Sequence, residues 1–190
     1  MNRLLPPLLI GATLIASWLG MQAFHEAGHA VAGWLSGGTI ERVVLHPLTL
    51  SRTDLTLNPH PGLVVWAGPI CGVLAPLLCY LAAWRLKRPS AFVWRFFAGF
   101  ALIANGAYIG LGAWERIGDC GEMLRTGSPV WTLWLFGAVT VPLGLWLWHQ
   151  QGQHFGLGRH ARKIEPGVVI VTIFMATFLA INGWLTSFWP

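Results

Sequence analysis

Five stretches of this sequence are long and apolar enough to cross a bilayer, and no water-soluble fold has use for all five. A membrane-spanning helix needs about 20 predominantly apolar residues. The five stretches run from Pro7 to Leu35, Gly62 to Trp84, Ala91 to Ala113, Val130 to Trp148 and Gly167 to Trp189. Charged residues make up 10% of the chain, against about 25% in soluble globular domains. Tryptophans at the ends of apolar runs (Trp84, Trp114, Trp131, Trp148, Trp189) suit rings that bury in the bilayer while their N–H groups stay near the headgroups. The expected fold is therefore an all-α polytopic membrane protein of about five transmembrane helices. The intervals are too short for a second domain and show no internal repeat, so residues 1–190 read as a single membrane-embedded unit.

The uncharged run from Leu4 to Phe24 is longer than a secretory h-region and leads directly into charged residues, which predicts a retained membrane helix. Pro6 and Pro7 suit its start and Gly37 and Gly38 its end. Between the first two spans, Thr39–Leu45 and Thr53–Leu57 are rich in β-branched and apolar residues and flank Pro47, which predicts a small β-hairpin in the first loop. The net charge of +5 comes from short loops, with no basic stripe interleaved with aromatics; the expected surroundings are the lipid bilayer, with no nucleic-acid partner. Eight Lys/Arg fall on the side where the first helix begins (Arg3, Arg85, Lys87, Arg88, Arg95, Arg159, Arg162, Lys163) and four on the other (Arg42, Arg52, Arg116, Arg125). The positive-inside rule places the first side in the cytoplasm. The three cysteines have no metal or redox spacing.

The chemistry sits in His25-Glu26-Ala27-Gly28-His29, an H-E-x-x-H at the later part of the first span. Residues four apart share a helix face, so His25 and His29 can hold one zinc ion. Glu26 lies beside them as a general base. Ionisable groups in a membrane helix are costly, and they mark function by default. A catalytic zinc has three protein ligands and an open position. The topology puts Glu115, Asp119, Glu122 and Asp54 on the histidine side and leaves the choice among them open, with Cys120 as a softer alternative.

The stretch Phe24-His25-Glu26-Ala27-Gly28-His29-Ala30 resembles the first core helix of the site-2-type membrane metalloproteases, the M50 peptidases. Ala67-Gly68-Pro69-Ile70-Cys71-Gly72 is similar to that family's Gly-Pro element, and Gly118-Asp119-Cys120-Gly121 to the segment bearing its third zinc ligand. The usual Asp-Gly reads Asp119-Cys120 here, and of the family's Asn- and Pro-rich approach only Asn105 has an echo. The resemblance implies a core over residues 7–129, with two additional helices over 130–190. It implies Zn2+ held by His25, His29 and Asp119, and Glu26 as the catalytic base. The implied activity is hydrolysis of peptide bonds in or near the transmembrane segments of membrane protein substrates, at the bacterial inner membrane. The family would turn the zinc side toward the cytoplasm, opposite to the charge rule. It also implies that the hairpin pairs with an extended substrate strand. Asn105 is a candidate for substrate binding or oxyanion stabilisation, although a helix–helix hydrogen bond is the favoured reading for an amide in a membrane helix. The alternative function is a non-proteolytic zinc-binding membrane scaffold. A metal transporter would show repeats and polar residues in several helices, and the sequence has neither.

Overall fold

The computed structural model describes residues 3–48 and 51–188; Trp189 lies outside them. Five helices are long and apolar enough to cross a membrane. They are α1 (Leu5–Leu35), α2 (Pro61–Arg85), α3 (Ala91–Glu115), α5 (Val130–Trp148) and α6 (Pro166–Phe188). Between α1 and α2 lie two antiparallel strands, β1 (Thr39–Val44) and β2 (Arg52–Leu57). A short helix, α4 (Gly118–Arg125), follows α3, and a 3-10 turn over Gln151–Phe155 joins α5 to α6. Large apolar side chains point outward, with Leu78, Ile170 and Phe174 at 63%, 66% and 66% exposure; in a bilayer lipid covers them. The chain is a multi-pass integral membrane protein with a hairpin in its first loop.

Local chemistry accounts for the helix ends. Pro6 and Pro7 occupy the first turn of α1, where a missing N–H costs no helical bond. At the other end Gly37 takes a left-handed φ of 83° and Gly38 N–H donates to the Gly33 carbonyl, which stops the helix and starts the hairpin. At 1.5 Å per residue α1 is about 46 Å long, so it tilts or projects beyond the hydrocarbon.

The helices pack through small residues, because lipid gives apolar side chains no reason to leave it for one another. The most extensive contact is between α3 and α5. There a Cβ on Gly106 would stand 2.1 Å from Thr140 Oγ1, and one on Gly137 would stand 2.8 Å from the Gly106 carbonyl oxygen. α1 packs on α2, α6 and α3. Its Gly28 faces the carbonyl of Ala67, to which an added Cβ would come within 2.3 Å. The smallness of Gly28 thus serves the approach of α2.

The hairpin lies along the last turns of α1. Side chains alternate across a strand, so Thr53 and Leu55 share a face. Leu55 covers Gly33, and the Thr53 hydroxyl reaches Glu26. Asp54, between them, pairs with Arg42 at 2.7 Å and Arg52 at 3.1 Å. The far end of the hairpin is tied to α6: Leu45 N–H donates to Thr186 Oγ1 at 3.2 Å, and that hydroxyl is 3.0 Å from the Leu45 carbonyl oxygen. Trp18 Nε1 also donates to the Pro47 carbonyl at 3.1 Å.

Replacing Gly137 by Leu should push α5 off α3. Overpacking typically costs about 1–3 kcal/mol, so the thermal unfolding midpoint in detergent should drop clearly. Val139→Leu, on the exposed face of the same helix, should leave it unchanged. A Gly137→Leu protein that melts like the wild type would show that this crossing does not hold the bundle.

Candidate functional site

Helical periodicity puts His25 and His29 on one face of α1, about 15 Å and about 9 Å along the axis from its hairpin end, and the bundle buries them there. Each ring is held at Nδ1. His29 Nδ1 lies 2.8 Å from the Val64 carbonyl oxygen. A carbonyl only accepts, so this nitrogen carries the proton and Nε2 keeps its lone pair. His25 Nδ1 lies 2.7 Å from Asn105 Oδ1. The Asn105 amide N–H donates to the Ala101 carbonyl at 2.9 Å, which orients the oxygen toward the imidazole and fixes the same tautomer. Both Nε2 atoms then point at one place. This outer layer of acceptors is what a metal-binding histidine pair needs.

Two glycines of α2 make room for it. A Cβ on Gly68 would stand 2.2 Å from His29 Nε2, and one on Gly72 would stand 2.9 Å from the Asn105 carboxamide. Pro69, between them, has no N–H for the Val65 carbonyl, a change of backbone bonding that a membrane helix tolerates where neighbouring helices surround it. The Gly-Pro element thus acts as the socket for one imidazole and for the amide that holds the other.

Asp119 arrives from the far end of α3. That helix stops with Arg116 in a left-handed conformation, and Gly118, also left-handed, turns the chain back into α4. This segment, too short and polar to span a bilayer, is a short helix with Asp119 in its first turn, where a carboxylate is favoured. Asp119 N–H donates to Tyr108 Oη at 3.1 Å. Asp119 Oδ2 lies 2.8 Å from His25 Nε2 and 3.5 Å from His29 Nε2. Burial pushes the Asp119 carboxyl up, and its contacts with His25 and His29 outweigh this and hold it well below the usual carboxylate range. One ligand atom from each of the three side chains falls within 4.8 Å of the others. In a tetrahedral zinc site with bonds of about 2.0–2.2 Å the ligand atoms stand roughly 3.3–3.5 Å apart, so the cluster can close around a metal ion with small adjustments.

The other acids of this side are placed differently. Glu115 is exposed, Glu122 pairs with Arg125, and Asp54 is paired in the hairpin. Cys120, fully buried, turns its thiol toward the carbonyls of Tyr108 and Ile109 in α3; burial and then the Asp119 charge push that thiol up to about 11. Asn105, for which a substrate contact and a helix–helix hydrogen bond were both open, makes the latter, from α3 to α1. It also lines the cavity.

The cavity holds about 550 Å³ and is walled by α1, β2, α2, α3 and α4. Glu26, at 5% exposure, lies on it beside the histidines. Thr53 Oγ1 donates to Glu26 Oε2 at 2.8 Å. Thr53 was not singled out from the sequence. Its strand alternation with Leu55 was the available signal, since it puts both side chains on the face toward α1.

A family description, Peptidase M50B-like, matches residues 6–109, from the start of α1 to the last third of α3. The match ends ten residues before Asp119, whose place in the site therefore rests on the geometry. No curated protein and no solved structure matched the chain. With more than half of its length matched, including the helix that carries His25, Glu26 and His29, the chain belongs to the M50B-like peptidases, the site-2-type group of membrane metallopeptidases.

Proposed function

We propose that the protein is a zinc-dependent endopeptidase that cleaves peptide bonds in or next to the membrane-spanning segments of other membrane proteins. The observation that carries this reading is the convergence of His25 Nε2, His29 Nε2 and Asp119 Oδ2 beside Glu26 in a walled cavity. A mixed set of two imidazoles and one carboxylate suits zinc, and three protein ligands leave a position open for chemistry. Zinc held by these side chains would supply Lewis acidity to a scissile carbonyl and acidity to a water.

The chain's own groups account for the rest. Glu26 accepts the proton of the attacking water and delivers it to the leaving amine, the work of a general base that becomes a general acid. Thr53 holds one oxygen of that carboxylate. Asn105 and the Val64 carbonyl keep both imidazoles in the Nε2-free tautomer, which makes Asn105 a positioning residue. β2 has β1 on one edge and no strand on the other among the described residues, while Arg52, Thr53 and Leu55 line the cavity. An extended substrate segment can add to that edge through main-chain hydrogen bonds. We take residues 1–190 as one domain, with the core over about 7–129 and α5 and α6 bracing it. The charge asymmetry favours a cytoplasmic start of α1.

Metal content and cleavage of a model membrane substrate, measured on the same detergent-purified preparations, test this. Glu26→Gln should keep its zinc and lose cleavage by about 10²–10⁴-fold. Asp119→Ala should purify zinc-poor and inactive, while Glu115→Ala, Glu122→Ala and Cys120→Ala keep their metal. Normal cleavage by Glu26→Gln would sink the mechanism. A wild-type protein that holds zinc and cleaves no membrane substrate would point to a scaffold.

Thr53→Val removes the bond to Glu26 and spares the metal ligands. It should keep full zinc occupancy and lower kcat by about tenfold, the rate equivalent of about 1.4 kcal/mol, near what a hydrogen bond to a charged group contributes. Unchanged kcat would mean that Glu26 needs no orientation from the hairpin.

A further inference from the structure

At the end of the bundle remote from the histidines, a second cavity of about 280 Å³ opens between α1, α3 and the 3-10 turn. Its walls include Leu14, Phe96, Trp148 and Leu157. The Trp148 indole stacks on Phe96 at 4.9 Å and donates to the Phe96 carbonyl, so this wall is fixed. Leu14 and Leu157 are 45% and 51% exposed, so the slot is open at the surface that faces lipid.

Two oxygens in the slot find no hydrogen-bond partner among the described residues, Thr13 Oγ1 and Gln151 Oε1. Both side chains are buried, at 1% and 4% exposure, and both line the cavity. Gln151 Nε2 donates to the Phe92 carbonyl at 3.4 Å, so Oε1 is left as an acceptor. Thr13 offers a hydroxyl. Buried polar atoms are almost always paired, and a single bridging water would fill a small part of a cavity this size, since water occupies about 30 Å³.

Cations stand at the rim. The Arg95 guanidinium donates to the His149 carbonyl at 3.2 Å, at the entrance to the 3-10 turn, and the backbone N–H of Arg162 donates to the Gln153 carbonyl within it. Burial lowers the His154 pKa, and the charges of Arg162 and Arg95 lower it further, in keeping with the hydrogen bonds that tie both residues to this turn. Neither has an acidic partner among the described residues. This side of the membrane carries eight Lys/Arg against one acid, Glu165.

From the apolar slot open to lipid, the two unpartnered oxygens inside it and the arginines at its rim that have no acidic partner among the described residues, we propose that this cavity is a binding site for an anionic glycerophospholipid with a hydroxylated headgroup. The acyl chain lies against Leu14, Phe96 and Leu157. The Thr13 hydroxyl donates to an ester carbonyl, Gln151 Oε1 accepts from the headgroup hydroxyl, and Arg95 and Arg162 meet the phosphate. Thr13 is about 12 Å along α1 from its start, a depth that suits the ester region of a lipid whose phosphate is at the rim. This site is separate from the peptidase reading and does not depend on it.

Native mass spectrometry of the detergent-purified full chain tests the proposal, with titrations of phosphatidylglycerol, phosphatidylcholine of the same acyl chains, and inorganic phosphate. One phosphatidylglycerol should bind saturably, phosphatidylcholine more weakly, and phosphate alone not at all. Arg95→Gln and Arg162→Gln should each weaken phosphatidylglycerol by about fivefold, the equivalent of one cation near an anionic lipid. The double variant Thr13→Val, Gln151→Leu should weaken both lipids. Each variant is compared by its thermal unfolding midpoint; Arg162, exposed on the rim, carries the charge test if Arg95→Gln unfolds. Equal retention of the two lipids with no effect of Arg162→Gln would reduce the slot to ordinary annular contact and overturn the proposal. So would phosphate binding as well as the lipid, or an absence of saturable lipid binding.

Discussion

An imidazole has two nitrogens, and it can offer a lone pair from one only if the proton on the other is given to an acceptor. The buried end of this bundle is organised by that requirement. His29 gives its Nδ1 proton to the Val64 carbonyl of α2 and His25 gives its own to Asn105 of α3, so the histidine helix is fastened to two different neighbours. Those neighbours must come close enough for bonds of 2.7–2.8 Å. In a bilayer that closeness is set by side-chain size rather than by hydrophobic pressure. Gly28, Gly68 and Gly72 follow from it, because a methyl group at any of them would meet backbone, imidazole or carboxamide.

Glu26 and Asp119 are held by elements outside the long helices. One leans on Thr53 of the hairpin, the other rides on the first turn of α4. Two carboxylates so near each other need separate compensation in a low-dielectric setting. Asp119 has the two imidazoles, and Glu26 has the Thr53 hydroxyl. The hairpin therefore does more than close a loop: one face of β2 packs on α1 while its alternate residue, Asp54, keeps Arg42 and Arg52 engaged with it.

The five spans, the hairpin and the histidine pair were legible in the sequence because each is a local pattern. Apolar length, β-branched runs around Pro47 and a spacing of four residues need no knowledge of the rest of the chain. From topology alone Asp119 was one of several acids on the histidine side, and only likeness to a family singled it out. The choice among them depends on contacts between residues 94 positions apart, and on Glu122 and Asp54 finding arginines of their own. α4 was hidden because eight residues with two glycines carry little helical signal of their own; a left-handed Arg116 and a left-handed Gly118 set its direction. The roles of Gly68 and Gly72 could be named by likeness to a family, but their physical reason, the rings that lie against them, belongs to another helix.

The tie between Leu45 and Thr186 joins residues 141 positions apart. The histidine helix and the first strand are made well before the hydroxyl that anchors the strand's end. Until α6 has been inserted, the hairpin has no hold on that helix, and Thr53 lacks the final restraint on the strand that brings it to Glu26. The bracing of the hairpin thus waits for α6, so that a chain in which α6 is not yet in place carries the histidines without the fully braced cleft around them.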